Sequence, residues 1–460
     1  MGAAVSDWRL ARAVSSAGQL GVVSGTGIDT VLVRRLQDGD PGGHMRRAMA
    51  RFPIPGVAEE ALRRFFLPEG RAPGVPYALL PMYRHTVTKA RDQITMLAGF
   101  VEVALAKEGH ENPVGLNLLT KVQMPNLGVL YGAMLAGVDV VLMGAGIPIE
   151  IPAALDALAA GRTATLELEV ENAPQGAATM LTLNPADHWE GAPPALRRPI
   201  FLPIIASNSL AQMLVRRAGG RIDGFVVEGP TAGGHNAPPR GKLQLSASGE
   251  PIYGARDVVD LAKLAELGLP FWIAGGAGSP EGLQRALASG AAGIQVGTLF
   301  AYCDEAGFSA ELKASVLASV ARGEVHVRTD PLASPTGYPF KVVSWPEAPG
   351  GMEKRQRVCD LGYLRSAYTR PDGKVGYRCA SEPIDTFVKK GGAVEETTGR
   401  MCLCNALMSN VGLGQLRDDG DLEPPLLTSG DELANMGGFL GGRASYSAAD
   451  VIRYLLGEGR

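Results

Sequence analysis

Strands and helices alternate along most of this 460-residue chain, which predicts an α/β fold around a parallel sheet. Two further observations narrow the class. The apolar run Pro270-Phe271-Trp272-Ile273-Ala274 ends in Gly275-Gly276-Ala277-Gly278, and Ser279-Pro280-Glu281 then opens a helix with a capping side chain, a first-turn proline and an early carboxylate. One helix later a second strand begins at Gly293, runs to Phe300, and carries Gly297 and Thr298 near its end. Two consecutive strand ends with exposed amides can share one phosphate, an arrangement found after strands seven and eight of (β/α)8 barrels. The predicted fold is therefore an α/β TIM barrel.

The remaining elements follow in chain order. Leu20 starts a short apolar strand ending at Ser24. Residues 37–81 interrupt the pattern with polar and proline-bearing sequence, and apolar spacing over 57–66 predicts short helices there. Residues 91–107 read as a helix, 114–119 as a strand, 127–136 as a helix and 138–143 as a strand. Residues 163–188 alternate like a hairpin without the barrel's punctuation, so a β insertion is expected at about 163–190. The barrel resumes at Phe201, continues over 222–228 and ends near Phe300. Strands starting at Leu20, Val114, Val138, Phe201, Ile222, Pro270 and Gly293 leave closure one strand short of eight. We expect the first barrel strand to precede Met1; the alternative is that a strand from 37–81 fills the gap.

The length suits a barrel domain over 1–307 and a mostly helical C-terminal extension over 308–460, with a helix at 310–321. Sixty glycines is well above the ordinary share of about 7%, as expected where many loops approach a ligand through their backbones. A net charge of −3 argues against a nucleic-acid surface. No apolar run reaches membrane-spanning length and the N-terminus lacks the order of a signal peptide. The expectation is a cytoplasmic protein acting on a small molecule, without nucleic-acid or membrane partners, for which a homodimer is allowed.

The extension is rich in Cys, Gly and Arg and holds Cys359, Cys379, Cys402 and Cys404. Disulfides are not expected in the cytoplasm. These four thiols suit a zinc or iron–sulfur site in number, but their spacing matches no paired Cys-x-x-Cys signature. Ordinary buried thiols are the alternative, no metal ligand is assigned, and Cys303 is expected to be structural.

His235 follows the apolar strand Val226-Val227-Glu228 across Gly229-Pro230-Thr231-Ala232-Gly233-Gly234. A buried strand, a glycine hinge and a ring that titrates near neutrality suit a general base or an anion-binding donor. A structural histidine at a strand end is the alternative.

In this order, Gly233-Gly234-His235, Ala274-Gly275-Gly276-Ala277-Gly278 and Gln295-Val296-Gly297-Thr298 resemble the nitronate monooxygenase family, which are FMN-dependent TIM barrels related to flavin-dependent enoyl-acyl-carrier-protein reductases. Residues 8–24 resemble the family's first helix and second strand, so the resemblance spans roughly 1–307. The resemblance implies FMN as cofactor and oxidation of alkyl nitronates with O2 to a carbonyl compound and nitrite. It makes His235 catalytic, holding the anion when protonated or removing an α-proton when neutral. It assigns cofactor binding to Asn117, Glu228, Gly233, Gly234, Gly275, Gly276, Gly278, Gln295, Gly297 and Thr298. The rival roles are a loop bond for Asn117, a turn cap for Glu228 and a polar core position for Gln295.

Met1-Gly2 reads as the remnant of the loop after the family's first strand. Ser207 and Asn208 are expected at the same mouth, and Arg240, in a proline-stiffened loop that departs from the family, suits an anionic substrate group. His85, His110 and His188 carry no supporting pattern. The alternative function is an NAD(P)H-dependent enoyl-thioester reductase of fatty-acid or polyketide synthesis. A third reading is a phosphate-binding barrel without redox chemistry.

Overall fold

The structure is a computed structural model that describes residues 2–348 and 355–458. Its centre is one parallel sheet of seven strands: β1 (Gly21–Ser24), β2 (Val114–Leu119), β3 (Val140–Gly144), β4 (Ile200–Ile205), β5 (Phe225–Glu228), β6 (Phe271–Ala274) and β7 (Gly293–Gln295). Each strand pairs with the next in chain order, and helices connect them, as the βα alternation requires. All seven strands line a single cavity, so the sheet curls into a TIM-barrel-like wall. The period-2 alternation decides which side chains face it. Val22, Leu142, Leu202, Ile204, Val226 and Trp272 form an inner cluster, whereas Val23, Leu116, Val141, Phe201, Phe225 and Phe271 pack outward in the main core.

Helices cover the outer face. α1 (Trp8–Ser16) is capped by Asp7, and α2 (Lys89–Ala106) by Thr88. α2 lies against α3 (Asn126–Leu135) so closely that a Cβ on Gly132 would stand 1.9 Å from the Met96 carbonyl oxygen. The short helices expected within 37–81 are present at Pro41–Gly43, His44–Met49 and Val57–Phe65. The β insertion is present too, as strands Ala164–Leu168 and Thr179–Leu183 paired antiparallel.

β1 and β7 do not pair with each other among the described residues, and no strand lies within 37–81, so that segment does not fill the gap. Its polar, proline-bearing sequence forms only short helices and loops. Residues 2–6 instead tie the two sides together: Ser24 N–H donates to the Ser6 carbonyl at 2.8 Å, and Gly307 N–H donates to the Val5 carbonyl at 2.8 Å. Met1, half of the predicted loop remnant, lies outside the described residues.

The last strand is shorter than expected. It stops at Gln295, and Thr298–Ala301 is a helical turn, because Gly297 leaves the extended conformation (φ −110°, ψ −56°). The C-terminal extension mixes strands with its helices. β8 (His326–Asp330) pairs antiparallel with β9 (Phe340–Ser344), and Ser366–Thr369 pairs with both Val375–Arg378 and Val170–Glu171 of the insertion. α4 (Pro280–Ala288) and the final helix α5 (Ala448–Leu456) flank the open side of the sheet beside α1.

Candidate active site

The strands' C-terminal ends open into a cavity of about 650 Å³. Nine of the residues singled out in the sequence line it: Asn117, Glu228, Gly233, Gly234, His235, Gly275, Gln295, Gly297 and Thr298. Gly276 and Gly278 do not.

His235 is held by parts of the chain that the barrel pattern did not reveal. Its Nε2 lies 2.7 Å from Ser334 Oγ, which in turn bonds Thr336 Oγ1 at 2.8 Å. Its ring meets Phe340 edge-on, with centroids 4.8 Å apart, and its backbone bridges to the same residue. The Gly234 carbonyl accepts from Lys341 N–H, and Asn236 N–H donates to the Pro339 carbonyl. Thus β9 and the turn before it clamp both sides of the histidine. Enclosure disfavours the imidazolium, lowering the His235 pKa to about 4, so the ring is neutral near pH 7. Nδ1 has no protein partner among the described residues, which leaves one ring nitrogen free for a ligand.

Three polar side chains, on β2, β5 and β7, line the same cavity. Asn117 stands within β2, two residues before its end, is 4% exposed, and its side-chain amide bonds no protein group among the described residues. A structural loop bond is therefore not what holds it. Glu228 closes β5, and burial raises its carboxyl pKa to about 7. Gln295 closes β7.

The glycine-rich end has a more mixed arrangement. A Cβ built on Gly297 meets nothing within 4 Å, and this residue faces the cavity, so a side chain there would fill ligand space. Gly275 and Gly276 take positive φ (81° and 71°), which explains the glycine pair. Other cradle groups are already engaged by the C-terminal extension. Gly234 N–H donates to Thr428 Oγ1 at 2.9 Å, Thr298 Oγ1 accepts from Gly430 N–H at 3.0 Å, and Gly278 N–H donates to Glu432 Oε1 at 2.7 Å. A Cβ on Gly233 would lie 2.7 Å from the Ser429 carbonyl carbon, so this glycine admits the backbone of the 428–432 strap. Glu432 lines the cavity where Gly278 does not, placing a carboxylate at the predicted phosphate site.

Two expectations are corrected. Ser207 caps the helix Asn208–Arg217, and Asn208 exchanges hydrogen bonds with Asp260, so neither lines the cavity. Arg240 is tied to Asp257 through its backbone and to the Ala206 carbonyl through its guanidinium, also away from the cavity. In both cases local capping and turn bonds take up the polar group. His85 bonds Tyr377, His110 bonds the Ala106 carbonyl, and Cys303 is fully buried with its thiol pKa pushed up by desolvation. Sequence reasoning missed Ser334, Phe340, Thr428 and Glu432. The turn-rich run Ser334-Pro335-Thr336-Gly337-Tyr338-Pro339 before an apolar strand was the available signal.

The residues present fit a flavin mononucleotide at the ring end, where Asn117, Glu228, Gln295 and His235 Nδ1 have no hydrogen-bond partner among the described residues, and at Gly297. At Gly278 the fit requires Glu432 to yield. The parallel strands and the cavity at their C-terminal ends define a TIM-barrel-like α/β fold. Within it, residues 195–329 match the family model described as nitronate monooxygenase. The matched segment contains β4 to β7, His235 and both glycine loops.

Among solved structures the chain is similar to FabK from Thermotoga maritima, at 17% identity and a TM-score of 0.45, covering 99% of this chain and 89% of that one. It is also similar to a nitroalkane oxidase from Streptomyces ansochromogenes, at 16% identity and TM-score 0.43, covering 100% and 93%. The enoyl reductase domain of MlnA from the macrolactin biosynthesis cluster of Bacillus amyloliquefaciens matches at 11% identity and TM-score 0.43, covering 79% and 84%. No curated protein matches the chain.

Proposed function

We propose that this protein is an FMN-dependent oxidoreductase that oxidises alkyl nitronates or their parent nitroalkanes with O2. The observation that carries the reading is His235: a neutral imidazole, clamped at Nε2 by Ser334, with Nδ1 free beside a cavity ringed by Asn117, Glu228 and Gln295. A neutral imidazole can take the α-proton of a nitroalkane, which converts it to the nitronate. Bound FMN would supply the electron acceptor between nitronate and O2, with carbonyl compound and nitrite as products. Asn117 would orient the ring system by hydrogen bonding, and Gly297 would admit the phosphate. A purified protein with flavin absorbance and turnover of propionate 3-nitronate supports this reading, and a colourless protein that binds no added FMN removes it.

A second reading is favoured by one feature. Leu10, Val14, Leu283, Leu287 and Leu455 add an apolar stretch to the cavity lining on the side of β1 and β7, of the character an acyl chain requires. An NAD(P)H-dependent enoyl-thioester reductase would use it. Anaerobic bleaching of the flavin by NADPH favours that enzyme; bleaching by a nitronate favours the first.

A further inference from the structure

Among the described residues no group of three or more His, Cys, Asp or Glu side chains is arranged to hold a metal ion, the four cysteines of the extension included. What the extension brings to the cavity is a pair of hydroxyls. Ser334 is fully buried, and its Oγ lies 2.7 Å from His235 Nε2 and 2.8 Å from Thr336 Oγ1. The turn that carries it is fixed from three sides. Arg400 Nη1 donates to the carbonyls of Leu332 at 2.7 Å and Ser334 at 2.6 Å. Asp330 Oδ1 accepts from the Leu332 and Ala333 N–H groups at 2.8 and 3.1 Å, and Met401 N–H donates to the Ala333 carbonyl at 2.9 Å. The Ser334 hydroxyl is therefore held in place independently of the ring it touches.

A count of donors limits what the hydroxyl can do. Ser334 Oγ owns one hydrogen and two lone pairs, and Thr336 N–H already donates to it at 3.2 Å. One hydrogen and one lone pair remain for Nε2 and Thr336 Oγ1. Either Ser334 donates to Thr336 and accepts from Nε2–H, or it donates to Nε2 and accepts from the Thr336 hydroxyl. Thr336 Oγ1 accepts from Tyr338 N–H at 3.4 Å and keeps a second lone pair, so it can serve in both. The two arrangements differ at the far nitrogen. The first leaves a lone pair on Nδ1, whereas the second leaves an N–H there with no protein acceptor among the described residues. Enclosed N–H groups without acceptors are rarer in folded proteins than under-used acceptors. The first arrangement is also the one that a charged ring requires, because an imidazolium donates through both nitrogens and Ser334 must then accept.

We propose that Ser334, backed by Thr336, is a positioning residue that holds His235 in the Nε2–H tautomer and so turns a bare Nδ1 lone pair to the cavity. Its place in catalysis rests on the base role of His235 proposed above. When the C–H bond of a nitroalkane breaks, its electron pair stays on the substrate as the nitronate, the proton bonds to Nδ1, and Nε2–H keeps its bond to Ser334. No hydroxyl has to turn during the transfer, which is what a preorganised site supplies.

The test reads the tautomer directly. The full chain, prepared with isotopically labelled histidine, is studied by ring-nitrogen NMR near neutral pH, and the His235→Asn spectrum assigns His235 among the six histidines. The expected signals are a protonated Nε2 and a bare Nδ1 in the wild type, a shift of weight to Nδ1–H in Ser334→Ala, and recovery in Ser334→Thr. Turnover of neutral nitroalkanes by Ser334→Ala should fall about tenfold at unchanged KM, with a smaller loss on preformed nitronates. A wild-type ring protonated at Nδ1, a tautomer indifferent to Ser334→Ala, or equal losses on the two substrate forms overturns the proposal. The wild-type spectrum decides even where a variant fails to fold. It is also separate from the functional reading: a wild type that turns over neither substrate form removes that reading, while the tautomer is still measured.

Discussion

The Glu432 carboxylate accepts a hydrogen bond from Gly278 N–H at 2.7 Å, so a side chain of the C-terminal extension holds one of the amides that the sequence assigns to a phosphate. The pairing satisfies a backbone donor, yet it sets a negative charge where another anion is proposed to bind. Glu432→Gln keeps the shape and removes that charge. We expect the variant to bind FMN about tenfold more tightly, equivalent to about 1.4 kcal/mol, measured by quenching of flavin fluorescence on titration with apoprotein. Weaker binding would assign Glu432 to loop support instead.

Gly297 offers the cleanest test of where the phosphate sits. Its φ is negative and a Cβ added there would meet nothing within 4 Å, so a side chain strains no backbone and enters the cavity. Gly297→Leu should fold, with an unchanged far-ultraviolet circular dichroism spectrum, but purify without flavin. Full flavin content would move the phosphate elsewhere.

His235→Asn should keep FMN while losing turnover of neutral nitroalkanes by on the order of a hundredfold, the usual worth of a positioned base. Preformed nitronates should be less affected, because their α-proton is already gone. Steady-state rates with both substrate forms make the comparison, and equal rates for variant and wild type would leave the histidine structural.

Two half-buried groups lining the cavity give opposing pH dependences of stability. His235 is lowered to about 4, so between that value and its unfolded value near 6.5 the unfolded chain holds the extra proton, and stability is lost as pH falls through this range. Glu228 is raised to about 7, so above its unfolded value near 4.5 the native state holds the extra proton, and stability is lost as pH rises. Between about pH 4.5 and 6.5 the two slopes cancel. Glu228→Gln should therefore unmask a melting temperature that climbs with pH across this window, which thermal denaturation in a buffer series would detect. A flat profile in the variant would show that His235 is not buried neutral.

The barrel was legible because its signals are local. A four- to six-residue apolar run closed by glycine, as at Phe271–Ala274, announces a strand and its loop without reference to the rest of the chain. His235, on the loop after β5, and Asn117, within β2, both line the cavity, because each is carried there by such a run. Ser334, Thr428 and Glu432 were not legible, because their roles depend on contacts spanning 99, 194 and 154 residues, which no periodicity encodes. Ser207 misled in the opposite way: a hydroxyl at a strand end also makes a good helix cap, and capping won.

The strap over 428–432 and the turn at 334–340 close the cavity that the first seven strands only outline. During synthesis the sheet leaves the ribosome first, while the segments that clamp His235 and cover the glycine loops follow more than thirty residues behind β7, and the strap more than a hundred. The cavity is thus finished late, and its apolar lining on the side of β1 and β7 stays uncovered on the nascent chain until α5 arrives. That interval is when a chaperone would have most to protect.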